Sequence, residues 1–173
     1  NEAAEAFMTP RDVVHLAIEL LLAPDEAIFV NNPGLITTLY DPTIGTSGFI
    51  SDGMEHVDTL RDRYGNAPTI IPYGQELEPE THAVALASML LKTIPTDPGR
   101  DLSQNIKLGS TLSNDQLANE KFNYCVSNPP FGKKWEMDQK AVVKVRIPEY
   151  PPTHSDNMRP PIPGYPPTCD ALP

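Results

Sequence analysis

Between residues 35 and 91 a short apolar run, a turn and a longer apolar stripe at helical spacing follow one another in that order two times. LITTLY (35–40) reads as a strand, and DPTIGTSGF (41–49) as a glycine turn. GFISDGMEHVDTLRDRY then sets Ile50, Met54, Val57, Leu60 and Tyr64 on one helical stripe. TIIPYGQE (69–76) is a second strand. PETHAVALASMLL (79–91), opened by a proline, is a second helix with Ala83, Ala87, Leu90 and Leu91 on one face. NIKLG (105–109) and FNYCVS (122–127) are two further short strands. Strands that alternate with helices predict an α/β fold, a parallel sheet with helical crossovers.

An earlier helix is predicted at FMTPRDVVHLAIELLL. Thr9 can cap it, Pro10 suits its first position, and Asp12 completes a capping-box-like T-x-x-D. Val13, Leu16, Ala17, Leu20 and Leu21 then recur at helical spacing, and Pro24 ends the run. The other end of the chain differs in kind. Nine of the 20 prolines fall between Pro148 and Pro173, and apolar periodicity disappears there. A segment so short of N–H donors cannot join a ladder, which predicts an irregular tail.

Three features suggest chemistry. The turn with Gly45 and Gly48 lets backbone approach a ligand, and the helix that follows adds amide donors. Its G-x-x-G spacing differs from the dinucleotide G-x-G-x-x-G. Glu76, at a strand end, can accept from both hydroxyls of a ribose. Asn128-Pro129-Pro130-Phe131 ends the last strand with two rigid acceptors, the Asn128 amide oxygen and the Pro129 carbonyl, beside a ring. Such a pair can receive both hydrogens of a planar –NH2 group and free its delocalised lone pair for attack, while the ring stacks on a flat base. Alone, each feature has an ordinary alternative: a turn built for packing, a solvated acid, a strand terminator.

The balance of 13 basic and 23 acidic residues, net −10, excludes a protein that grips nucleic acid by its own basic surface. No apolar stretch approaches membrane-spanning length, and no basic-then-apolar leader opens the chain. A cytoplasmic, non-membrane protein is expected. Cys125, in an apolar run, reads as a small buried thiol. The four histidines (15, 56, 82 and 154) are scattered and indicate no metal site.

Taken in order, these segments resemble the adenine-N6 DNA methyltransferases, and in particular the modification subunit of type I restriction-modification systems. FMTPRDVV resembles the F-x-T-P-R segment of that family, and DPTIGTSGF its D-P-x-x-G-T-G-G-F cofactor loop. YGQELEPETHAVALASMLL is similar to Y-G-Q-E-x-x-P-x-T, and NPPFGKKW to the N-P-P-F motif. The resemblance implies a Rossmann-like fold that binds S-adenosylmethionine and methylates N6 of a flipped adenine in DNA. It implies that Asp41, Gly45 and Gly48 hold the methionine end of the cofactor, that Phe7 and Thr9 help cover it, and that Glu76 takes the ribose. Asn128, Pro129, Pro130 and Phe131 then form the catalytic motif. A separate DNA-specificity subunit and a restriction subunit are the implied partners.

Two positions depart from the pattern. Ser47 replaces a loop glycine and is expected to narrow the room beside the cofactor. Ser110 stands where related enzymes often present Asp or Asn near the cofactor's adenine. The likeness fades after Trp135. A partial methyltransferase domain over 1–135, truncated after the fourth strand, and a proline-rich irregular tail over 136–173 are therefore expected. The strand before Asn128 becomes a sheet edge, and little activity is expected of the chain alone. Methylation of another planar nitrogen, cytosine N4 or a protein glutamine, and an inactive remnant are the alternative readings.

Overall fold

The computed structural model of the chain describes residues 8–32, 34–65, 67–94, 97–130 and 136–146. Its order is α1 (Arg11–Leu22), a 3-10 turn (Ala23–Asp25), α2 (Glu26–Asn31), β1 (Ile36–Asp41), α3 (Gly48–Tyr64), β2 (Thr69–Glu76) and α4 (Pro79–Leu90). A second 3-10 turn (Leu102–Asn105) leads to β3 (Ile106–Leu108), followed by β4 (Tyr124–Cys125) and α5 (Glu136–Arg146).

The sheet is four-stranded, in the order β3-β2-β1-β4. All three pairings are parallel. Ile36 lies opposite Thr69 and Asp41 opposite Gly74; Gly74 to Glu76 face Ile106 to Leu108; Leu39 and Tyr40 face Tyr124 and Cys125. Both central strands carry buried apolar side chains, as strands covered by crossover helices do. Leu39, Ile50, Leu102, Ala85 and Met89 are fully buried at the centre of the core.

Gly53 brings α3 close to the sheet: a Cβ there would stand 2.6 Å from Leu39 Cδ2 and 3.6 Å from Ile18 Cδ1. That gap admits α1, which buries Val14, Ile18 and Leu22. Of the stripe expected from spacing, Val13, Leu16 and Leu20 are exposed, and only Ala17 and Leu21 pack, partly buried, against the core. The helix is apolar around most of its girth, so spacing alone does not choose its inner face. The same happens in α4, which buries Ala85 and Met89 and leaves Ala83, Ala87, Leu90 and Leu91 exposed.

The cap of α1 also differs. Pro10 is the cap residue itself, its carbonyl accepting from Val13 and Val14, and no side chain caps the helix. Pro24 ends α1, but the chain turns through a 3-10 step into α2, anchored by buried Phe29.

β4 pairs over two residues, where six were expected. Asn123 explains the shortening. Its Oδ1 accepts from Thr38 N and Thr38 Oγ1, both at 3.0 Å, and its own N–H donates to Thr38 Oγ1 at 2.9 Å. Side-chain bonds there replace the ladder. Because β4 is the edge, Cys125 is exposed rather than buried. Residues 136–146, assigned by sequence to the irregular tail, form α5. EMDQKAVVKVR contains no proline, and Glu136 and Asp138 place negative charge in its first turn. The prolines begin only at Pro148.

Candidate active site

Parallel pairing sends the carboxyl ends of all four strands to one side, where α/β sheets open their ligand crevices. β1 ends on Asp41 and β2 on Glu76. β3 runs into Gly109 and Ser110, and β4 into Ser127 and Asn128.

Asp41 is 1% exposed. Its Oδ1 accepts from the Thr43 N–H at 2.9 Å and the Thr43 hydroxyl at 3.4 Å. Its Oδ2 is buried with no hydrogen-bond partner among the described residues. Burial pushes this carboxyl up to about 7, opposed by the Thr43 bonds and reinforced by the charge of Glu76.

The turn after Asp41 lies across the end of β2. The Ile44 N–H donates to Gln75 O at 3.1 Å, and Ile44 packs where Gly74 has no side chain. A Cβ at Gly74 would stand 2.4 Å from Ile44 Cδ1. Gly45, at φ +56°, donates its N–H to Glu76 Oε2 at 3.0 Å. Glu76 Oε1 accepts from Glu78 N–H at 2.9 Å. The acid at the end of β2 thus holds the glycine turn.

Gly48 begins α3. Ser47 caps that helix with φ +75°, a left-handed conformation that favours glycine. It is fully buried, and its hydroxyl donates to Ser88 Oγ of α4 at 2.9 Å. Ser47 is therefore spent on the α3–α4 contact and does not crowd the crevice as expected.

On the far side, Ser110 donates to Asp138 Oδ1 of α5 at 2.8 Å, and its Oγ accepts from Leu112 N–H at 3.2 Å. The Ser113 hydroxyl also bonds Asp138. Two positions here escaped the sequence analysis. Asp138 lay in the segment assigned to the tail. Gln75, fully buried, donates to Asn114 O at 2.8 Å and accepts from Gln116 N–H at 3.1 Å, fixing the loop after β3. A polar residue between Gly74 and Glu76 in an otherwise apolar strand was its signal.

Asn128 is reached from two directions. Its Nδ2 donates to Thr9 Oγ1 at 2.9 Å. Next to it, Ser127 Oγ lies 2.8 Å from Thr43 Oγ1, and the Thr111 hydroxyl donates to Pro42 O at 2.6 Å. Asp41, Gly45, Glu76 and Asn128 are thus joined through Thr43 and Ser127, with Thr9 on the Asn128 side. Pro129 and Pro130 are exposed. Phe7 and Phe131 lie outside the described residues.

Among the described residues no group of three or more His, Cys, Asp or Glu side chains is set to hold a metal ion, and no helix is long and apolar enough to cross a membrane. A cavity of about 660 Å³ opens elsewhere, lined by Arg11, His15, Asp52, Glu55 and His56 among others. No strand end lines it, so it is separate from this crevice.

Comparison with known proteins places these features in a context. The profile of the family described as N-6 DNA Methylase matches residues 1–159. The type I restriction enzyme HindI methylase subunit of Haemophilus influenzae is 25% identical over 130 residues, 75% of this chain and 25% of that protein. The MjaIX methylase subunit of Methanocaldococcus jannaschii is 23% identical over 159 residues, 91% of this chain and 23% of that protein. Among solved structures, the type I restriction-modification methyltransferase subunit from Streptococcus thermophilus superposes with a TM-score of 0.54 at 25% identity, covering 75% of this chain and 24% of that one. The type I restriction enzyme EcoKI M protein gives 0.51 at 26% identity, covering 73% and 25%. The chain spans about a quarter of the length of these relatives.

Proposed function

The chain belongs to the N-6 DNA methylase family, and we propose that it forms the cofactor and target-base portion of a site-specific DNA adenine-N6 methyltransferase of a type I restriction-modification system. The observation that carries this reading is the hydrogen-bonded join between the Asp41 turn and the Asn128 loop, Thr43 to Ser127. Methyl transfer needs donor and acceptor sites side by side.

The residues fit S-adenosylmethionine. The buried, unpartnered Oδ2 of Asp41 suits an ammonium group. Glu76 retains lone pairs for ribose hydroxyls beyond those given to Gly45 and Glu78. Gly45 and Gly48 allow close approach, and Ser110 stands at the β3 end; Phe7 is assigned to the cofactor's cover by the resemblance alone. When bound, the cofactor supplies an electrophilic methyl group on a sulfonium centre.

The chain's own residues act on the amine. Asn128 Oδ1 and the Pro129 carbonyl accept its two hydrogens and draw the nitrogen toward sp³ geometry. Pro129 and Pro130 keep that pair rigid, and Phe131 stacks on the base. A base inside a duplex must first be flipped out. A net charge of −10 leaves most of the DNA grip to a separate specificity subunit, with a restriction subunit completing the system.

Calorimetry with S-adenosylmethionine tests the cofactor assignment. Glu76→Ala is expected to weaken binding at least about tenfold, through hydroxyl bonds and the lost hold on Gly45. Equal affinity for wild type and variant would overturn the ribose assignment.

A further inference from the structure

Asn128 stands three residues beyond a two-residue edge strand, a weak base for a group that must be accurately placed. Its backbone is nevertheless well restrained. Ser127 is bonded to Thr43 at 2.8 Å. Asn128 precedes a proline, which excludes much of its own backbone range, and Pro129 precedes another. The freedom that remains is in the Asn128 side chain. An amide has two ends of nearly equal size and opposite hydrogen-bonding character, so shape alone does not hold it.

Thr9 anchors that side chain. Its hydroxyl takes the Nδ2 donor at 2.9 Å, across 119 residues of sequence. That hydroxyl is not engaged as a helix cap, because α1 has no side-chain cap. Both side chains are half-buried, so the bond is partly shielded from competing water. With Nδ2 on the Thr9 hydroxyl, Oδ1 is the end left free as an acceptor; the hydroxyl can also donate, so Thr9 fixes the place of the side chain and the donors of the target amine select Oδ1 as the end that faces them. A turn of the amide about its axis would direct N–H donors at the N–H donors of the target amine.

We propose that Thr9 is a positioning residue for Asn128, holding its side chain at the place where Oδ1 meets the target amine, rather than a part of the cofactor's cover. This rests on the function proposed above for Asn128. The bond itself can be tested without it.

Two variants separate the roles. Thr9→Val removes the hydroxyl and keeps the branched shape, and Thr9→Ser keeps the hydroxyl. In the ¹⁵N-labelled chain, with the Asn128 side-chain signals assigned by their loss in Asn128→Asp, the Nδ2 protons exchange slowly in wild type and Thr9→Ser. They exchange as a free amide in Thr9→Val. Identical exchange in wild type and Thr9→Val would overturn the proposal. In the full-length protein with its DNA-recognising partner, Thr9→Val lowers kcat about 10- to 100-fold at unchanged S-adenosylmethionine affinity, and Thr9→Ser restores it. A loss of cofactor affinity in step with kcat would return Thr9 to the cofactor's cover. A wild type that methylates nothing would remove the proposed function, and the exchange measurement would still decide the Thr9–Asn128 bond.

Discussion

The Asp41–Glu76 crevice and the Asn128 loop lie side by side, yet they are held in place differently. The crevice grows out of the two central strands. Its register runs unbroken from Ile36–Thr69 to Asp41–Gly74, and its turn is locked by backbone groups and by an isoleucine seated on a glycine. The Asn128 loop leaves an edge strand of two ladder residues. It is fixed by side chains that arrive from far away in sequence: Thr38 and Thr43, 85 and 84 residues upstream, and Thr9, 119 residues upstream. One half is secured by the sheet. The other depends on a few hydroxyls and two side-chain amides, Asn123 and Asn128.

The contrast can be broken at its strongest point first. Asp41 carries a carboxyl raised by burial from 3.8 to about 7. Because its folded value lies above its unfolded value, its contribution to stability is fully present below about pH 4 and is lost as pH rises through about 7. Asp41→Asn keeps an oxygen for Thr43 and removes that loss. Above pH 7 the variant is more stable than wild type, by at most about 4 kcal/mol, and its urea midpoint lacks the fall that Asp41 causes between pH 4 and 7. A wild-type midpoint that shows no fall over that interval would contradict the assignment.

Gly74→Ala should follow in size. The new methyl meets Ile44 at a distance no relaxed packing allows, with a cost of about 1–3 kcal/mol and displacement of the whole turn. Urea unfolding gives the cost, and S-adenosylmethionine binding should fall with it. Unchanged stability and binding would mean that the turn does not rest on this contact. Asn123→Ala is the smaller perturbation. It removes two bonds to Thr38 at an exposed edge, about 1 kcal/mol. Its effect should appear as faster amide exchange at Tyr124–Val126 with the central strands unaffected. Uniform loss of protection across the sheet would show that the edge is not a separate unit.

The two halves also differed in how far they could be read from sequence. The crevice was legible. Strand β2 and helix α3 fall at the expected residues, and β1 within one residue, because the glycine turn and the alternation of apolar runs leave few options. What failed depended on three-dimensional context. The inner face of α4 differs from its expected stripe, and that of α1 keeps only Ala17 and Leu21 of it, because both helices are apolar around most of their circumference and the neighbour decides. Ser47 turned away from the crevice because Ser88, 41 residues later, offers its hydroxyl a partner. Helix α5 was folded into the tail by proximity to the prolines. The Asn128 motif was legible as residue types, but its fastening was not: Thr9 read as a helix cap, and only the fold brings it to Asn128.

The central claim is that these two unlike halves make one site. Hydrogen–deuterium exchange of the chain with and without S-adenosylmethionine tests it directly. The cofactor is expected to slow exchange in the turn at 43–48 and also at 123–128, through the Thr43–Ser127 bond. Protection confined to the turn, with 123–128 exchanging as in the free chain, would contradict it.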